Sequence, residues 1–172
     1  YKLNITQAEK KDDKISLAKS LNGIGIVKYY QGEYDKALDC HSKVERTAKD
    51  LGDKTGILLS LNNIGVSYLY KGNIKKAEEY LEKSLALQKE TKIQIFKLFT
   101  TTHLQLAKKN LNKEIDVKEV NSAIKETEFS SYDISYVVYQ LLEDTSYLQT
   151  AYNQIQKIAD NLEPDVAAKF LS

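Results

Sequence analysis

Residues 60–65, SLNNIG, nearly duplicate residues 20–25, SLNGIG, at an offset of 40 positions. A period between about 20 and 50 residues is typical of arrays in which small structural units stack on one another. The sequence therefore predicts an internal repeat. Further identities at the same offset are Asp13-Lys14 with Asp53-Lys54, Tyr30 with Tyr70, Gly32 with Gly72, Lys36-Ala37 with Lys76-Ala77, and Lys43 with Lys83.

Apolar residues recur at the spacing of an α-helix. Leu17, Leu21, Ile24 and Val27 follow one another at steps of three and four residues, which places them on one helical face. No run of residues alternates between apolar and polar around a turn pair, as the strands of a β-hairpin would. The chain has one proline and no Gly- or Ser-rich linker. We therefore predict a single all-α domain over residues 1–172.

Each repeat is predicted to be a pair of helices. In the first repeat the helices span residues 15–31 and 34–50, and Gly32 stands where a left-handed residue ends the first of them. Gly25 and Ala37 are small enough to let the two helices approach closely. One hairpin of this size cannot bury both of its faces, so neighbouring hairpins must stack. The predicted seam residues are Leu21, Ile24 and Val44 in the first repeat and Leu61, Ile64, Gly65, Tyr68, Ala77, Leu81 and Leu85 in the second.

The repeated pattern resembles a known family. L-x-x-I-G-x-x-Y at residues 61–68, followed by A-x-x-x-L at residues 77–81, resembles the tetratricopeptide repeat signature, and the first repeat departs from it at Lys28 and His41. The 40-residue period resembles the subclass with longer helices, found in kinesin light chains, spindle-orientation adaptors and bacterial sensor kinases and cyclases. The resemblance implies a right-handed α-α superhelix of stacked antiparallel helical hairpins.

The resemblance also divides the chain into units. Beyond residue 91 the pattern weakens: a helix is predicted over residues 92–110, Asp116 is a candidate cap for the next helix, and Ala151 and Ile158 fall on small and seam positions of a fourth hairpin. Because residues 1–10 align with the end of a repeat, we expect the chain to be a piece of a longer polypeptide. The predicted units are residues 1–13 (the end of a preceding repeat), 14–53, 54–91, 92–130 (degenerate), 131–163 (degenerate) and 164–172 (the start of a further helix).

Composition argues against several classes of partner. Lys and Arg number 25 and Asp and Glu 24, so the net charge of +1 lacks the basic excess of a nucleic-acid-binding protein. No stretch approaches the roughly 18 consecutive apolar residues of a membrane span. The single cysteine cannot form an internal disulfide. We predict a cytoplasmic protein with neither a nucleic-acid nor a membrane partner.

The candidate catalytic residues lack the neighbouring groups that catalysis requires. The chain has two histidines, His41 and His103, and Cys40 points roughly 100° away from His41 on the same helix. Residues 52–55, GDKT, lack the glycine and lysine pattern of a phosphate loop, and residues 23–25 lie inside a helix rather than after a strand. We predict no enzyme, no cofactor and no metal site. An all-α hydrolase or phosphatase is the alternative, which activity lost on His41→Ala would support.

The resemblance implies a binding groove lined by the first helix of each repeat. Gly25 and Gly65 face the partner helix, so the opposite stripe of each first helix is expected to face the groove. Such amide, aromatic and aliphatic side chains suit an extended peptide, although the asparagines could instead bridge helices and the tyrosines could edge the core. The predicted groove residues are Lys19, Asn22, Ile26, Tyr29, Tyr30, Leu59, Asn62, Asn63, Val66, Tyr70, Phe99, Thr102, His103 and Leu106.

Related arrays recognise peptides through two residue patterns, one of asparagines and one of basic pairs. An asparagine that grips the peptide backbone is expected at Asn63, whereas Gly23 and His103 stand at the equivalent positions of the other repeats. The basic pairs that clamp a carboxylate in chaperone adaptors are absent from the predicted groove. We therefore predict a protein or peptide interaction module, a sensory or scaffolding segment of a larger signalling protein. The alternative is a self-association module that stacks through its terminal half-repeats.

Overall fold

The structure is a computed structural model that describes the backbone of residues 2–127 and 131–171 and the side chains of residues 13–127 and 131–168. In this part of the chain every regular element is an α-helix, so the predicted all-α class is confirmed. The helices are α1 (Lys2–Tyr30), α2 (Tyr34–Leu51), α3 (Lys54–Tyr70), α4 (Ile74–Thr91), α5 (Lys97–Asn110), α6 (Val117–Lys125), α7 (Tyr132–Leu142), α8 (Thr145–Ala159) and α9 (Pro164–Leu171).

Tight turns join the first four helices. Gly32, Gly52 and Gly72 have φ values of 74°, 68° and 88°, in the left-handed region where a side chain would be strained. Directly after Gly52, the Asp53 carboxylate caps α3 by accepting a hydrogen bond from the Gly56 N–H at 3.0 Å. Each turn therefore ends one helix and starts the next within a few residues, which folds consecutive helices into hairpins.

The hairpins depend on close approach at a glycine. A Cβ atom added at Gly65 in α3 would lie 2.7 Å from the Leu81 Cγ in α4, beside the fully buried Ala77. In the first hairpin the same close approach joins Gly25 to the His41 ring, whose Cε1 would lie 2.6 Å from an added Cβ. His41 therefore takes the position that Leu81 takes 40 residues later, and the predicted close approach of the helices at Gly25 and Gly65 is confirmed.

Helices that are consecutive in the chain pack against each other from α1 to α5, as in a solenoid of helical hairpins. A buried hydrophobic cluster lies where α3, α4, α5, α6 and α7 meet. Its members are Leu69, Ala77, Leu106, Ala107, Val120, Val137 and Leu141.

Two helix boundaries differ from the sequence-based expectation. α1 continues through residue 13, where the repeat offset places a unit boundary. Gly52 ends α2, but Asp12 stands at the equivalent position in α1, and a residue with a side chain adopts the left-handed conformation that stops a helix less readily than glycine does. α5 begins at Lys97 rather than Lys92, because Lys92 itself adopts a left-handed conformation, with φ 60°, and ends α4.

Two residues assigned to seams are exposed instead. Ile24 is 50% exposed, although its equivalent Ile64 is 1% exposed. α3 packs between α2 and α4, whereas α1 packs mainly against α2, so one face of α1 stays uncovered in the described part of the chain. In the fourth hairpin Ala151 is buried as predicted, but Ile158 is 40% exposed.

The last helices turn back across the molecule. Asp116 caps α6 as predicted, accepting from the Glu119 N–H at 2.9 Å. α7 packs mainly against α8 and α5, and the Tyr30 hydroxyl of α1 donates to the Asp133 carboxylate of α7 at 2.6 Å. The α7–α8 hairpin therefore faces the first helices of the repeats. The predicted unit boundary at residue 130 and the terminal Ser172 lie outside the described residues.

Among the described helices, none combines the length and the apolar character that crossing a membrane requires.

Candidate binding cavity

A cavity of about 650 Å³ lies between the first helices of the repeats and the α7–α8 hairpin. α1, α3 and α5 form one wall, with one side chain from α2, and α7 and α8 form the opposite wall. This volume falls within the range of about 300–1,000 Å³ that is usual for ligand pockets. The concave surface predicted from the repeats is therefore one side of a two-sided cavity.

Eight of the predicted groove residues line this cavity. They come from all three first helices, so this part of the stripe opposite Gly25 and Gly65 faces the cavity. These residues are Ile26, Tyr29, Tyr30, Asn63, Val66, Tyr70, Phe99 and His103.

Three predicted groove residues are instead buried in the protein interior. Asn62 is 1% exposed, and its Oδ1 accepts a hydrogen bond from the Thr100 Oγ1 at 2.9 Å. Thr102 is fully buried and its hydroxyl donates to the Leu98 carbonyl of its own helix at 2.8 Å. Leu106 belongs to the main core cluster. The predicted stripe was too wide, because α5 packs against both α3 and α4 and covers its edge.

Three others lie outside the cavity without being buried. Lys19 is exposed and Leu59 is partly buried, and neither lines the cavity. Asn22 bridges two repeats, since its Oδ1 accepts a hydrogen bond from the Asn63 Nδ2 at 3.0 Å. Of the two predicted roles for the asparagines, groove contact or bridging of helices, Asn22 therefore has the second, because it joins α1 to α3.

Tyrosine rings dominate the wall near α1. The Tyr29 ring lies 5.1 Å from the Tyr30 ring, 5.9 Å from the Tyr34 ring and 5.6 Å from the Tyr70 ring, measured between centroids. Burial raises the pKa of Tyr29, Tyr30 and Tyr70, so their hydroxyls are protonated donors at neutral pH. Tyr30 and Tyr70 are 58% and 41% exposed, which places large ring surfaces at the mouth of the cavity.

Both histidines of the chain line the cavity as neutral rings. Burial lowers the pKa of His41 to about 4 and that of His103 to about 4. The His103 Nδ1 lies 2.8 Å from the Phe99 carbonyl oxygen, which fixes the proton on Nδ1 in the neutral ring. Among the described residues, the buried His41 Nδ1 has no hydrogen-bond partner. Neither ring carries charge at neutral pH.

Sequence reasoning missed the opposite wall. The missed residues on α7 and α8 recur at steps of three and four positions, and this helical stripe of aromatic and aliphatic side chains was a signal in the sequence. No pattern in the sequence indicated, however, that this stripe faces α1. The missed lining residues are His41, Ser67, Tyr132, Asp133, Tyr136, Leu148, Ala151, Tyr152 and Ile155.

The lining of the cavity is mainly a contact surface. Its side chains are mostly apolar or aromatic, with an amide at Asn63, a carboxylate at Asp133 and several hydroxyls. In the described part of the chain, no three His, Cys, Asp or Glu side chains converge as ligands for a metal ion. Such a wall can hold a guest by apolar contact and orient it with a few hydrogen bonds.

Stacked helical hairpins that line a concave wall define the class of helical repeat proteins, which bind partners through extended surfaces. Residues 5–90, half of the chain, match the tetratricopeptide repeat, so the chain belongs to the tetratricopeptide repeat family. It is therefore a protein–protein interaction module. The match does not test the 40-residue-period subclass, which stays a prediction. A search of the curated proteins finds no match.

Proposed function

We propose that the chain binds an extended segment of a partner protein in the cavity between its concave wall and the α7–α8 hairpin. The observation that carries this proposal is the cavity itself, about 650 Å³ with side chains from six helices on its walls. A space of this volume admits several side chains of a peptide but not a folded domain. The partner segment would therefore enter as an unfolded stretch.

The chemistry of the walls supports the same guest. Val66, Phe99 and Ile155 supply apolar contacts for side chains, and the tyrosine hydroxyls and the Asn63 Oδ1 supply hydrogen-bonding groups for a peptide backbone. The Asn63 Nδ2 already donates to Asn22, which orients the amide before the guest arrives. A preorganised wall reduces the entropy lost on binding.

Selection of peptides tests the proposal. Random 12-residue peptides displayed on phage are selected on the immobilised chain, and the enriched peptides are synthesised and their dissociation constants measured by fluorescence anisotropy. Tyr70→Ala combined with Tyr136→Ala removes exposed rings from both walls and is expected to weaken binding at least tenfold, on the order of 1.4 kcal/mol. Tyr80→Ala, which removes a tyrosine outside the cavity, is the matched control and is expected to change affinity by less than about twofold.

The proposal fails if no peptide is enriched, or if the enriched peptides bind the double variant as tightly as the unmodified chain. Melting curves of both variants separate lost binding from lost folding.

We further propose that the chain is a sensory or scaffolding segment of a larger cytoplasmic signalling protein. The resemblance of its repeats to those of bacterial sensor kinases and cyclases supports this role. The coding sequence on either side of the segment tests it: a kinase, cyclase or DNA-binding domain is expected there. An open reading frame that encodes no further domain would contradict it.

Self-association is the second candidate function, and the uncovered face of α1 favours it. Leu17, Ile24 and Val27 are 56%, 50% and 54% exposed and lie within about 80° of one another around the helix. A second copy of the chain could cover this stripe. Sedimentation equilibrium between about 1 and 100 μM decides: a dimer that Ile24→Lys dissociates supports self-association, and a monomer over the whole range rejects it.

A further inference from the structure

The cavity holds a charge that its own walls do not balance. Asp133 is a lining residue, and among the described residues that line the cavity no Lys or Arg accompanies it. The two histidines of the cavity are neutral at pH 7, as argued above. The lining therefore carries one negative charge in surroundings that are otherwise apolar and aromatic.

The hydrogen bond to Asp133 does not remove this charge. The Tyr30 hydroxyl donates to the Asp133 Oδ2 at 2.6 Å, and a neutral phenol orients a carboxylate without neutralising it. Four other carboxylates in the described part of the chain pair with a lysine from a different segment. These ion pairs are Lys71–Asp35, Lys97–Glu126, Lys109–Glu143 and Lys113–Glu78.

Aromatic rings surround the same carboxylate. Tyr30 and Tyr70 from α1 and α3 and Tyr136 from α7 line the cavity with Asp133, and these three rings are 58%, 41% and 45% exposed. The face of an aromatic ring attracts cations, and the attraction grows when a carboxylate stands nearby and water is excluded. A carboxylate among exposed tyrosine rings is therefore complementary to an ammonium or guanidinium group on an apolar stem.

We propose that the cavity selects a partner segment with a lysine or arginine side chain, whose charged end pairs with Asp133 among the tyrosine rings. This inference rests on the proposed function, since it specifies the peptide that the cavity binds. The apolar stem of the basic side chain would contact the rings while its charge reaches the carboxylate. A cation in this place would compensate the unbalanced charge of the lining.

The position of Asp133 in its helix provides a matched control. Asp133 is the second residue of α7, and Asp165 is the second residue of α9, so both carboxylates favour a helix N-terminus in the same way. Asp165 does not line the cavity. Asp133→Asn and Asp165→Asn therefore make the same change of charge at equivalent helix positions, and only the first alters the cavity.

The experiment uses three phage libraries of 12-residue peptides. The sixth residue is fixed as Lys, Gln or Glu, and the other eleven positions are drawn from uncharged residues, so the fixed residue alone sets the side-chain charge. Each library is selected on the unmodified chain, on Asp133→Asn and on Asp165→Asn, and deep sequencing measures its enrichment.

The Lys library is expected to be enriched about tenfold over the Gln library on the unmodified chain and on Asp165→Asn. On Asp133→Asn the two libraries are expected to be enriched equally, and the Glu library should be the weakest on the unmodified chain. Raising the salt concentration from about 50 to 500 mM should reduce the preference for Lys on the unmodified chain, because ions screen the pair. The salt measurement needs no variant, so it holds even if Asp133→Asn does not fold.

The outcomes separate the two proposals. Equal enrichment of the Lys and Gln libraries on the unmodified chain, or a Lys preference that survives in folded Asp133→Asn or at high salt, overturns the inference about the basic residue. Peptide binding that depends on Tyr70 and Tyr136 would still stand in that case. If no library is enriched on the unmodified chain, both proposals fail.

Discussion

Asn62 and Asn63 are neighbours in the chain with different environments. Asn62 is 1% exposed and belongs to a buried chain of hydrogen bonds in which the Gln88 Nε2 donates to the Thr100 Oγ1 at 2.6 Å and the Thr100 Oγ1 donates to Asn62 at 2.9 Å. Asn63 is only partly buried and lines the cavity. One step of about 100° around α3 thus separates a residue buried between helices from one that lines the cavity.

These two asparagines predict opposite effects on stability and binding. Asn62→Ala should lower the free energy of unfolding by about 1–3 kcal/mol, because it removes the buried hydrogen bond from Thr100 and leaves a void where the amide stood. Asn63→Ala should cost at most about 1 kcal/mol but weaken the selected peptides. Urea denaturation and fluorescence anisotropy measure the two effects. A large loss of stability in Asn63→Ala with unchanged peptide affinity would show that Asn63 is structural.

The histidines predict a dependence of stability on pH. Burial holds the pKa of His41 and of His103 at about 4 in the folded chain, against roughly 6.5 when unfolded. Below pH 6.5 the unfolded chain binds more protons than the folded chain, so falling pH favours unfolding. Between pH 7 and pH 5 the free energy of unfolding should fall by about 1–2 kcal/mol for each histidine.

Urea denaturation at pH 7, 6 and 5 measures this loss. His41→Leu places in the first repeat the residue that occupies the equivalent position, Leu81, in the second, and should remove about half of the pH dependence. Carboxylates such as Glu79 and Glu126, whose pKa is lowered by neighbouring lysines, lose their stabilising charge only below about pH 4.5 and do not interfere. A free energy of unfolding that stays constant from pH 7 to pH 5 would contradict the burial of both rings.

At the scale of secondary structure, the α3–α4 hairpin depends on Gly65, because a residue without a side chain lets α4 approach α3 closely. Gly65 lies against Leu81 with no room for a Cβ, whereas Gly23 in α1 has no atom within 4 Å of the position that its Cβ would take. Both glycines lie inside helices, where alanine is favoured by roughly 0.5–1 kcal/mol over glycine. Substitutions at these two positions therefore measure the effects of helix propensity and of helix packing separately.

Gly65→Leu should lower the free energy of unfolding by about 1–3 kcal/mol, because the added side chain overpacks the contact with Leu81. Gly23→Ala should raise it by about 0.5–1 kcal/mol, since it adds helix propensity without a clash. Thermal or urea denaturation of both variants checks the pair. An unchanged midpoint for Gly65→Leu would mean that α3 and α4 do not approach as closely as the structure places them.

At the scale of the whole molecule, the repeats made most of the fold predictable. The 40-residue offset predicted the two hairpins formed by α1 to α4 and their glycine contacts, because residues at equivalent positions make equivalent contacts in each hairpin. His41 shows the limit of that logic, since an imidazole in one repeat fills the space that a leucine fills in the other. The helix boundary at Lys97 was missed because a non-glycine residue, Lys92, takes the left-handed conformation.

The second wall of the cavity could not be predicted in the same way. The contact between Tyr30 and Asp133 joins residues 103 positions apart, and no local pattern specifies which distant helix a stripe will face. The α7–α8 stripe was visible as helical periodicity, but whether it would continue the stack or turn toward α1 depended on packing against α5. The sequence thus predicted the concave wall and left open what stands across from it.

A photocrosslinking map tests most directly whether the cavity is the binding site. A peptide selected on the unmodified chain is synthesised with a benzophenone side chain at its centre, irradiated in the complex, and the attached residue is located by mass spectrometry. The account predicts crosslinks on both walls, within residues 26–30, 63–70 or 99–103 and within residues 132–136 or 148–155. Crosslinks confined to residues of α2 and α4 that do not line the cavity would contradict it.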